Sequence, residues 1–368
     1  MRYYWQQLRL ADWIAAVAAL ALVAFGLAAI YSVELSRESA DFLNLKKQLV
    51  AVAIAFLLYW TAALFNYRLW RNYAAVLYLF GLVLLLGVLW FGATIRGTTG
   101  WFTFGVVSFQ PVEFMKFALL IVLAAYFSER ARRRLGWREI GESAALAGFP
   151  IILTLLQPDF GSAALLFCLW GVSLFFAGLR RWQAAILFCS ATVGAVVGWF
   201  FFLADYQKAR LLTFLHPEND PLGQGYNVTQ AIIAVGAGGI FGRGLGFGSQ
   251  SQLKFLPESQ TDFIFAVLAE ELGLVGTSLV LLAFGVILLR LWQLAARSRD
   301  DFTGFLVLSA GGVLFCQVLI NVGMNLGLLP VTGVTLPLIS YGGSSLIFTA
   351  LMLGVAQSAA IRERQTRN

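Results

Sequence analysis

Charge is the scarcest commodity in this chain. Only 12% of its 368 residues are Asp, Glu, Lys or Arg, against roughly 25% in a soluble domain, so an extensive water-facing surface is excluded. There is one histidine, His216, which excludes a histidine-cluster metal centre. The three cysteines, Cys168, Cys189 and Cys316, all fall inside apolar runs. They read as small buried hydrophobes, neither a disulfide framework nor a metal site. Tandem repeats, low-complexity tracts and inter-domain linkers are absent, so the chain reads as one unit over 1–368. Barrel strands are excluded as well, because the apolar runs are too long and lack period-2 alternation.

What is present is apolar: 60% of the residues are hydrophobic and the mean hydropathy is +0.79. Ten apolar segments separate at approximately 11–32, 48–66, 73–93, 112–128, 142–157, 160–179, 183–204, 262–292, 303–329 and 341–361. Most have the length a helix needs to cross about 30 Å of hydrocarbon, and helices are the only open-ended structures that lipid tolerates. The first run is too long for the core of a signal peptide and lacks a small-residue cleavage site, so it reads as a retained span. The fifth is short, and is expected to be tilted or partly re-entrant. The predicted fold is an all-α polytopic membrane protein of about ten transmembrane helices.

Orientation follows from the basic residues. Seventeen Lys and Arg fall on one side, including Arg2, Arg9, Arg68, Arg71, the cluster Arg130 to Arg138, Arg290 and Arg362 to Arg367; eight fall on the other. The richer side is predicted to be cytoplasmic and to hold both termini. The longest loop, about 205–261, is then extracytoplasmic, between the seventh and eighth helices. Within it, YNVTQAIIAVGAGGIFG is expected to form a short amphipathic helix on the membrane. The glycine run Gly236 to Gly248 has no strand before it, so a nucleotide-binding reading is weak and close chain packing is favoured. The net charge of +7 is spread over short loops, which argues against a nucleic-acid partner.

The few polar residues gather on that outer side, in segments that open or close spans. In QPVEFMK, Glu113 and Lys116 are three apart, hence on one helix face; they read either as a self-neutralising pair or as the lining of a polar cavity. In QPDFGS, Asp159 follows Pro158 and suits a helix cap. In YQKARLL, Gln207, Lys208 and Arg210 face either lipid headgroups or a phosphate, for which arginine's fork is suited. In FLPESQTDFIF, Thr261 and Asp262 stand at the junction of the long loop with a span. An acid at the edge of hydrocarbon is expensive unless used or paired; Ser259 with Asp262 also matches a capping box. Glu270 and Glu271 lie about 12 Å further along at 1.5 Å per residue, and are expected to brace the bundle. Before the last span, LPVTGVTLPLISYGGSS carries two prolines, three glycines, and the hydroxyls of Ser340, Ser344 and Ser345. Irregular backbone at that depth lines a cavity or is packed in protein, and its amides suit an anionic or sugar ligand.

FLPESQTDFIFAVLAEELG and NVGMNLGLLPVTGVTLPLISYGGSSL, with QPVEFMK, QPDFGS and YQKAR in order before them, closely resemble the SEDS family (shape, elongation, division and sporulation) over essentially the whole chain. GSQSQLKFLPE and PVTG look more like its RodA branch than its division branch, FtsW. The resemblance implies a peptidoglycan glycosyltransferase that polymerises lipid II at the outer face of the bacterial cytoplasmic membrane. It implies partnership with a class B penicillin-binding protein and the elongation machinery. It places the family's essential loop aspartate on Asp262, its span-four pair on Glu113 and Lys116, and another aspartate on Asp159. Gly100 stands where the family often has an arginine, and Ser162 where it has threonine.

On this reading Asp262 takes a proton from a sugar hydroxyl, while Lys116 and Arg210 stabilise the departing pyrophosphate, with Gln207, Lys208, Glu113, Asp159, Thr261, Ser344 and Ser345 around the substrate. A divalent cation, Mg²⁺ or Mn²⁺, is a candidate addition, with Glu113, Asp159 and Asp262 as its candidate oxygen ligands. No organic cofactor is expected. The alternatives are a lipid II flippase and a scaffold that activates a penicillin-binding partner.

Overall fold

The computed structural model describes residues 7–35, 42–95, 97–105, 107–131, 135–201, 208, 212–214 and 223–365. In chain order its helices are α1 (Trp13–Leu35), α2 (Leu43–Leu64), the short α3 (Tyr67–Asn72), α4 (Ala74–Phe91), α5 (Pro111–Ser128), α6 (Trp137–Leu155), α7 (Phe160–Phe176), α8 (Arg181–Phe201), α9 (Gln224–Ala237), the single turn α10 (Ser249–Gln252), α11 (Ile264–Arg297), α12 (Asp301–Asn325) and α13 (Gly343–Gln365). Among the described residues, eight of these are long and apolar enough to cross a membrane. α7 adds 17 apolar residues, and α6 adds 19 whose first turns carry Arg138, Glu139 and Glu142. Every one of the ten predicted crossings therefore has its helix, and the chain is a multi-pass membrane protein. At about 1.5 Å per residue, the 19-residue α6 is longer than the apolar segment that predicted it.

Three features depart from the sequence reading. The first is a small antiparallel sheet between α4 and α5, strands β1 (Ala93–Ile95), β2 (Thr98–Phe104) and β3 (Val107–Phe109), in the order β1-β2-β3. The sheet is a small addition to a fold that is otherwise helical, as expected. A meander this short is hidden between apolar runs several times its strand length. The second is α3, a six-residue turn between the second and third crossings, capped by the Asn66 side chain on Arg68 N. The third is a break in α11: Gly273 has φ 65° and ψ −164°, a conformation only glycine adopts readily. The predicted single span is thus a short helix, Ile264 to Leu272, followed by the true crossing from Leu274.

α5 and α13 form the centre of the bundle, with most of their side chains buried. α13 can hold that place because it is rich in small residues; a Cβ on Gly354 would stand 2.5 Å from Tyr59 O of α2. Close backbone approach of this kind is what packs helices in lipid, where apolar contact alone gives no preference. α8 lies outside the core and turns Phe188, Phe200 and Phe201 outward. α9 matches the amphipathic segment foreseen in the long loop, but its buried side, Val228, Ala231 and Ala234, packs with Phe263, Ala266 and Val267.

The bundle is tied at one end by charge. Arg290 Nε and Nη2 both reach Asp12 Oδ2 at 2.8 Å, and Arg364 Nη1 donates to Leu10 O and Ala11 O at 2.9 and 2.8 Å. The start of α1 and the end of α13 therefore lie together, as an even number of crossings requires. The polar segments of the sequence gather at the opposite end.

Candidate functional site

Two helix starts build one wall of the site. α5 opens with Pro111 at its first turn, where the missing N–H costs nothing. One turn in, Lys116 Nζ pairs with Glu113 Oε2 at 2.5 Å, and the two residues are only 5% and 7% exposed. Two charges this deep persist only because each neutralises the other. α7 begins beside them. Asp159 is its N-cap: Oδ1 accepts from Ser162 N at 2.9 Å, and Oδ2 from Ser162 Oγ at 2.7 Å and Gln110 Nε2 at 3.3 Å. The cap reading of Asp159 holds, and the hydroxyl of Ser162 does the work a threonine would. Glu113 lies within electrostatic reach of Asp159. Gln110 N also donates to Ser344 Oγ at 3.1 Å, which joins the starts of α5, α7 and α13.

The opposing wall is the turn before α11, whose three successive carbonyls are each held from elsewhere. Gln260 O accepts from Tyr341 N at 2.8 Å and Thr261 O from Ser340 Oγ at 2.7 Å. Asp262 O accepts from Asn321 Nδ2 at 3.1 Å and Asn325 Nδ2 at 2.9 Å. Both asparagines are fully buried on α12. Asn325 Oδ1 also accepts from Ala266 N, and Asn321 Nδ2 also donates to Val334 O, so the pair fastens α12, α11 and the Pro/Gly loop together. The capping-box reading of Asp262 does not hold: α11 starts at Ile264 with Phe263 as its N-cap and no side-chain cap bond. The carboxylate of half-buried Asp262 instead lies along the Pro/Gly loop, and a Cβ added at Gly333 would stand 3.8 Å from its Oδ2.

The Pro/Gly loop closes the gap between the walls. A Cβ on Gly161, in the first turn of α7, would stand 2.3 Å from Thr332 O, so α7 rests on the loop residue next to Gly333. Asp262, Gly333, Thr332, Gly161 and Asp159 thus form one continuous line of neighbours. Thr335 Oγ1 and Ser345 Oγ are 3.4 Å apart on the same loop end. Gly161→Ala should separate α7 from the loop. We expect a loss of about 1–3 kcal/mol, the usual cost of overpacking, read as a lower unfolding temperature in detergent.

The structure brings together Glu113, Lys116, Asp159, Thr261, Asp262, Ser344 and Ser345. Lys208 is described and half-exposed; Gln207 and Arg210 lie outside the described residues. Gly100 is buried on β2, where an added Cβ would face Gln157 Oε1 at 3.4 Å. Glu270 and Glu271 brace the long loop rather than entering the site: Glu270 accepts from Gln250 N and Ser251 N, Glu271 from Ser32 Oγ and Gly246 N. Among the described residues, no three His, Cys, Asp or Glu come together to hold an ion. Glu113 is paired with Lys116, and Asp159 with Ser162 and Gln110.

Asn321 and Asn325 are the residues that sequence reasoning passed over. The signal was available, two amides four apart in an apolar span and hence on one face, but their partners are remote in sequence.

Known proteins resemble this chain over nearly its full length. Residues 12–365 match the family model of the FtsW, RodA and SpoVE cell cycle proteins. Peptidoglycan glycosyltransferase MrdB of Escherichia coli K12 is 37% identical over 88% of this chain and 87% of its own length. A chain from the solved structure of a peptidoglycan synthase complex, one that coordinates polymerization and crosslinking, superposes with a TM-score of 0.81 at 34% identity, covering 96% of this chain and 99% of that one. The rod shape determining protein RodA of Thermus thermophilus gives a TM-score of 0.71 at 30% identity, covering 97% and 98%. With its multi-pass helical fold and a family match that runs over residues 12–365, the chain belongs to the FtsW/RodA/SpoVE family, the SEDS proteins.

Proposed function

We propose that this chain is a peptidoglycan glycosyltransferase that polymerises lipid II during cell elongation, working with a class B penicillin-binding protein. The observation that carries the reading is the Asp262 turn. Its backbone is fixed through three carbonyls, and it lies beside a loop of hydroxyls and amides at the same bundle end as a buried lysine. The relative MrdB supports the reaction by its name, and the synthase complex supports a partner that crosslinks. The excess of basic residues at the Asp12 end favours placing that end in the cytoplasm, in the bacterial inner membrane. The Asp262 end is then extracytoplasmic.

The reaction joins a sugar hydroxyl to an anomeric carbon that carries a polyprenyl pyrophosphate. Asp262 accepts the proton from the acceptor's 4-hydroxyl as that oxygen bonds to the anomeric carbon. The bond from that carbon to the pyrophosphate oxygen breaks, and the lipid pyrophosphate leaves with the electron pair. Lys116, one turn inside the wall, and Arg210, assigned from the YQKAR segment alone, meet the charge that develops on the leaving group. Glu113 orients Lys116. Asp159 holds Gln110 and, through it, the start of α13. The prenyl tails lie along the apolar helices, outside the polar end.

One observation favours a flippase: the face of Asn325 and Asn321 continues inward to Gln317, whose amide meets no protein partner among the described residues. Gln317 is only 1% exposed, however, so the row is closed in the core and does not form a path. The test is polymerisation of labelled lipid II by the purified chain with its partner. We expect glycan polymer from the pair, and none from a partner lacking this chain. Labelled lipid crossing vesicles without polymer would establish the flippase, and polymer from the partner alone the scaffold. A chelator arm decides the cation: a loss restored by Mg²⁺ or Mn²⁺ would add a metal to the lysine and arginine.

A further inference from the structure

The glycine run of the long loop has a function that close packing does not exhaust. From Phe241 to Gly248, residues alternate: Phe241, Arg243, Leu245 and Phe247 are exposed, and a glycine stands after each. Two of these glycines, Gly242 and Gly248, are required by the surface beneath them. A Cβ on Gly242 would stand 2.1 Å from Glu271 O, and one on Gly248 2.6 Å from Glu270 Oε2. The strip is pinned along its backbone. Arg243 N donates to Glu270 O at 3.0 Å, Gly244 N to Glu271 O at 2.9 Å and Gly246 N to Ser32 Oγ at 2.9 Å. In return, Leu274 N and Val275 N, freed by the break at Gly273, donate to Gly239 O and Ile240 O at 2.9 and 3.0 Å. The result is a comb whose aromatic teeth, Phe241 at 82% and Phe247 at 76% exposure, are held outward by a fixed spine. Rigid phenylalanines standing in water are unfavourable, so something covers them.

What covers them follows from their neighbours. Leu274 and Val275, bonded to one end of the strip, are exposed residues at the start of the α11 crossing. Leu35, against Gly246, is the exposed last residue of the α1 crossing. Exposed apolar side chains on crossing helices face lipid, and the comb continues that surface at the level where two crossings enter the membrane. Arg243 stands between the apolar teeth, with Nε on Ala237 O and Nη1 on Ser249 Oγ, and this mixture of aromatic and basic residues suits the interfacial layer.

We propose that the strip Ile240–Phe247 is a membrane-surface anchor, with Phe241, Leu245 and Phe247 in the headgroup–acyl boundary and Arg243 at lipid phosphates. Its spine is bonded to Glu270 and Glu271, at the end of the short helix that begins after Asp262. Seating the comb therefore sets the depth of Asp262 in the headgroup layer. The anchor itself stands independently of the catalytic reading.

Depth is measurable without any activity. The full chain, with Cys168→Ala, Cys189→Ser and Cys316→Ala, would carry a nitroxide at Phe241→Cys or Phe247→Cys. It would be placed in nanodiscs of phosphatidylethanolamine and phosphatidylglycerol. Collisions with oxygen should exceed those with a water-soluble nickel chelate several-fold at both positions, as at the lipid-facing control Leu282→Cys, and the reverse should hold at Arg138→Cys. A water-like ratio at 241 and 247 would overturn the proposal. So would exclusion of both reagents, which would mean that protein covers the comb. With Arg243→Glu, the ratio at 247 should fall; an unchanged ratio would remove the phosphate contact. Should the cysteine-free background not fold, a photo-crosslinking residue at position 247 of the native-cysteine chain keeps the question open to decision. A lipid adduct is expected, and a protein adduct overturns the anchor.

Discussion

Asp262→Asn should lower the rate of lipid II polymerisation by at least about a hundredfold, the smaller end of what a positioned general base contributes, while the protein remains folded. The side chain keeps its shape and loses its basicity. The turn should survive because it is fixed through the carbonyls of Gln260, Thr261 and Asp262, which the substitution leaves in place. The start of α11 should survive too, since no side chain caps it. Two measurements on one preparation decide the matter: the polymerisation rate with the partner present, and the unfolding temperature. A wild-type rate would remove Asp262 from the role of base. A collapse in unfolding temperature that matched the loss of rate would make it a structural residue.

The second large effect is at the buried ion pair. Lys116→Met should cost about 3–5 kcal/mol of stability, because it leaves the Glu113 carboxylate buried with its charge uncompensated. The pair is nearly sealed, at 5% and 7% exposure, so water cannot take the place of the lysine. Adding Glu113→Gln should recover most of that loss, since a neutral amide and a thioether can be buried together at little cost. The double variant then separates structure from chemistry. If Lys116 serves only to neutralise Glu113, the folded double variant should polymerise normally. If Lys116 stabilises the departing pyrophosphate, the double variant should fold yet remain about 10²–10³ slower, the range for loss of one electrostatic stabiliser. Unfolding temperature and rate on the single and double variants together give the answer.

The apolar runs were legible in the sequence because lipid imposes a simple demand: each crossing must satisfy its own backbone over about twenty apolar residues. That demand produced all ten crossings and their order, and it made Glu113, Lys116, Asp159 and Asp262 conspicuous as charges that hydrocarbon does not tolerate without a reason. It was blind to elements too short to show against such runs, such as the strands from Ala93 to Phe109 and the helix of six residues after Asn66. It also merged the short helix before Gly273 with the crossing after it, because hydropathy does not register a change of φ.

The sequence by itself therefore determined the class of molecule, the number of crossings and which charged side chains required explanation, all of which depend on local composition measured against the bilayer. Only the tertiary structure decided what those side chains do. It closed the Glu113–Lys116 pair, spent Asp159 on the cap of α7, denied Asp262 its capping box, and turned Glu270 and Glu271 into clamps on the glycine strip. The Glu113–Lys116 pair and the Asp159 cap are made between residues three apart, whereas the Glu271 clamp and the Asp262 turn are held by segments remote in the chain, Ser32 for the one and Asn321 and Asn325 for the other. Spacing along one helix can suggest a pair or a cap, but which bonds are finally made depends on how ten helices meet.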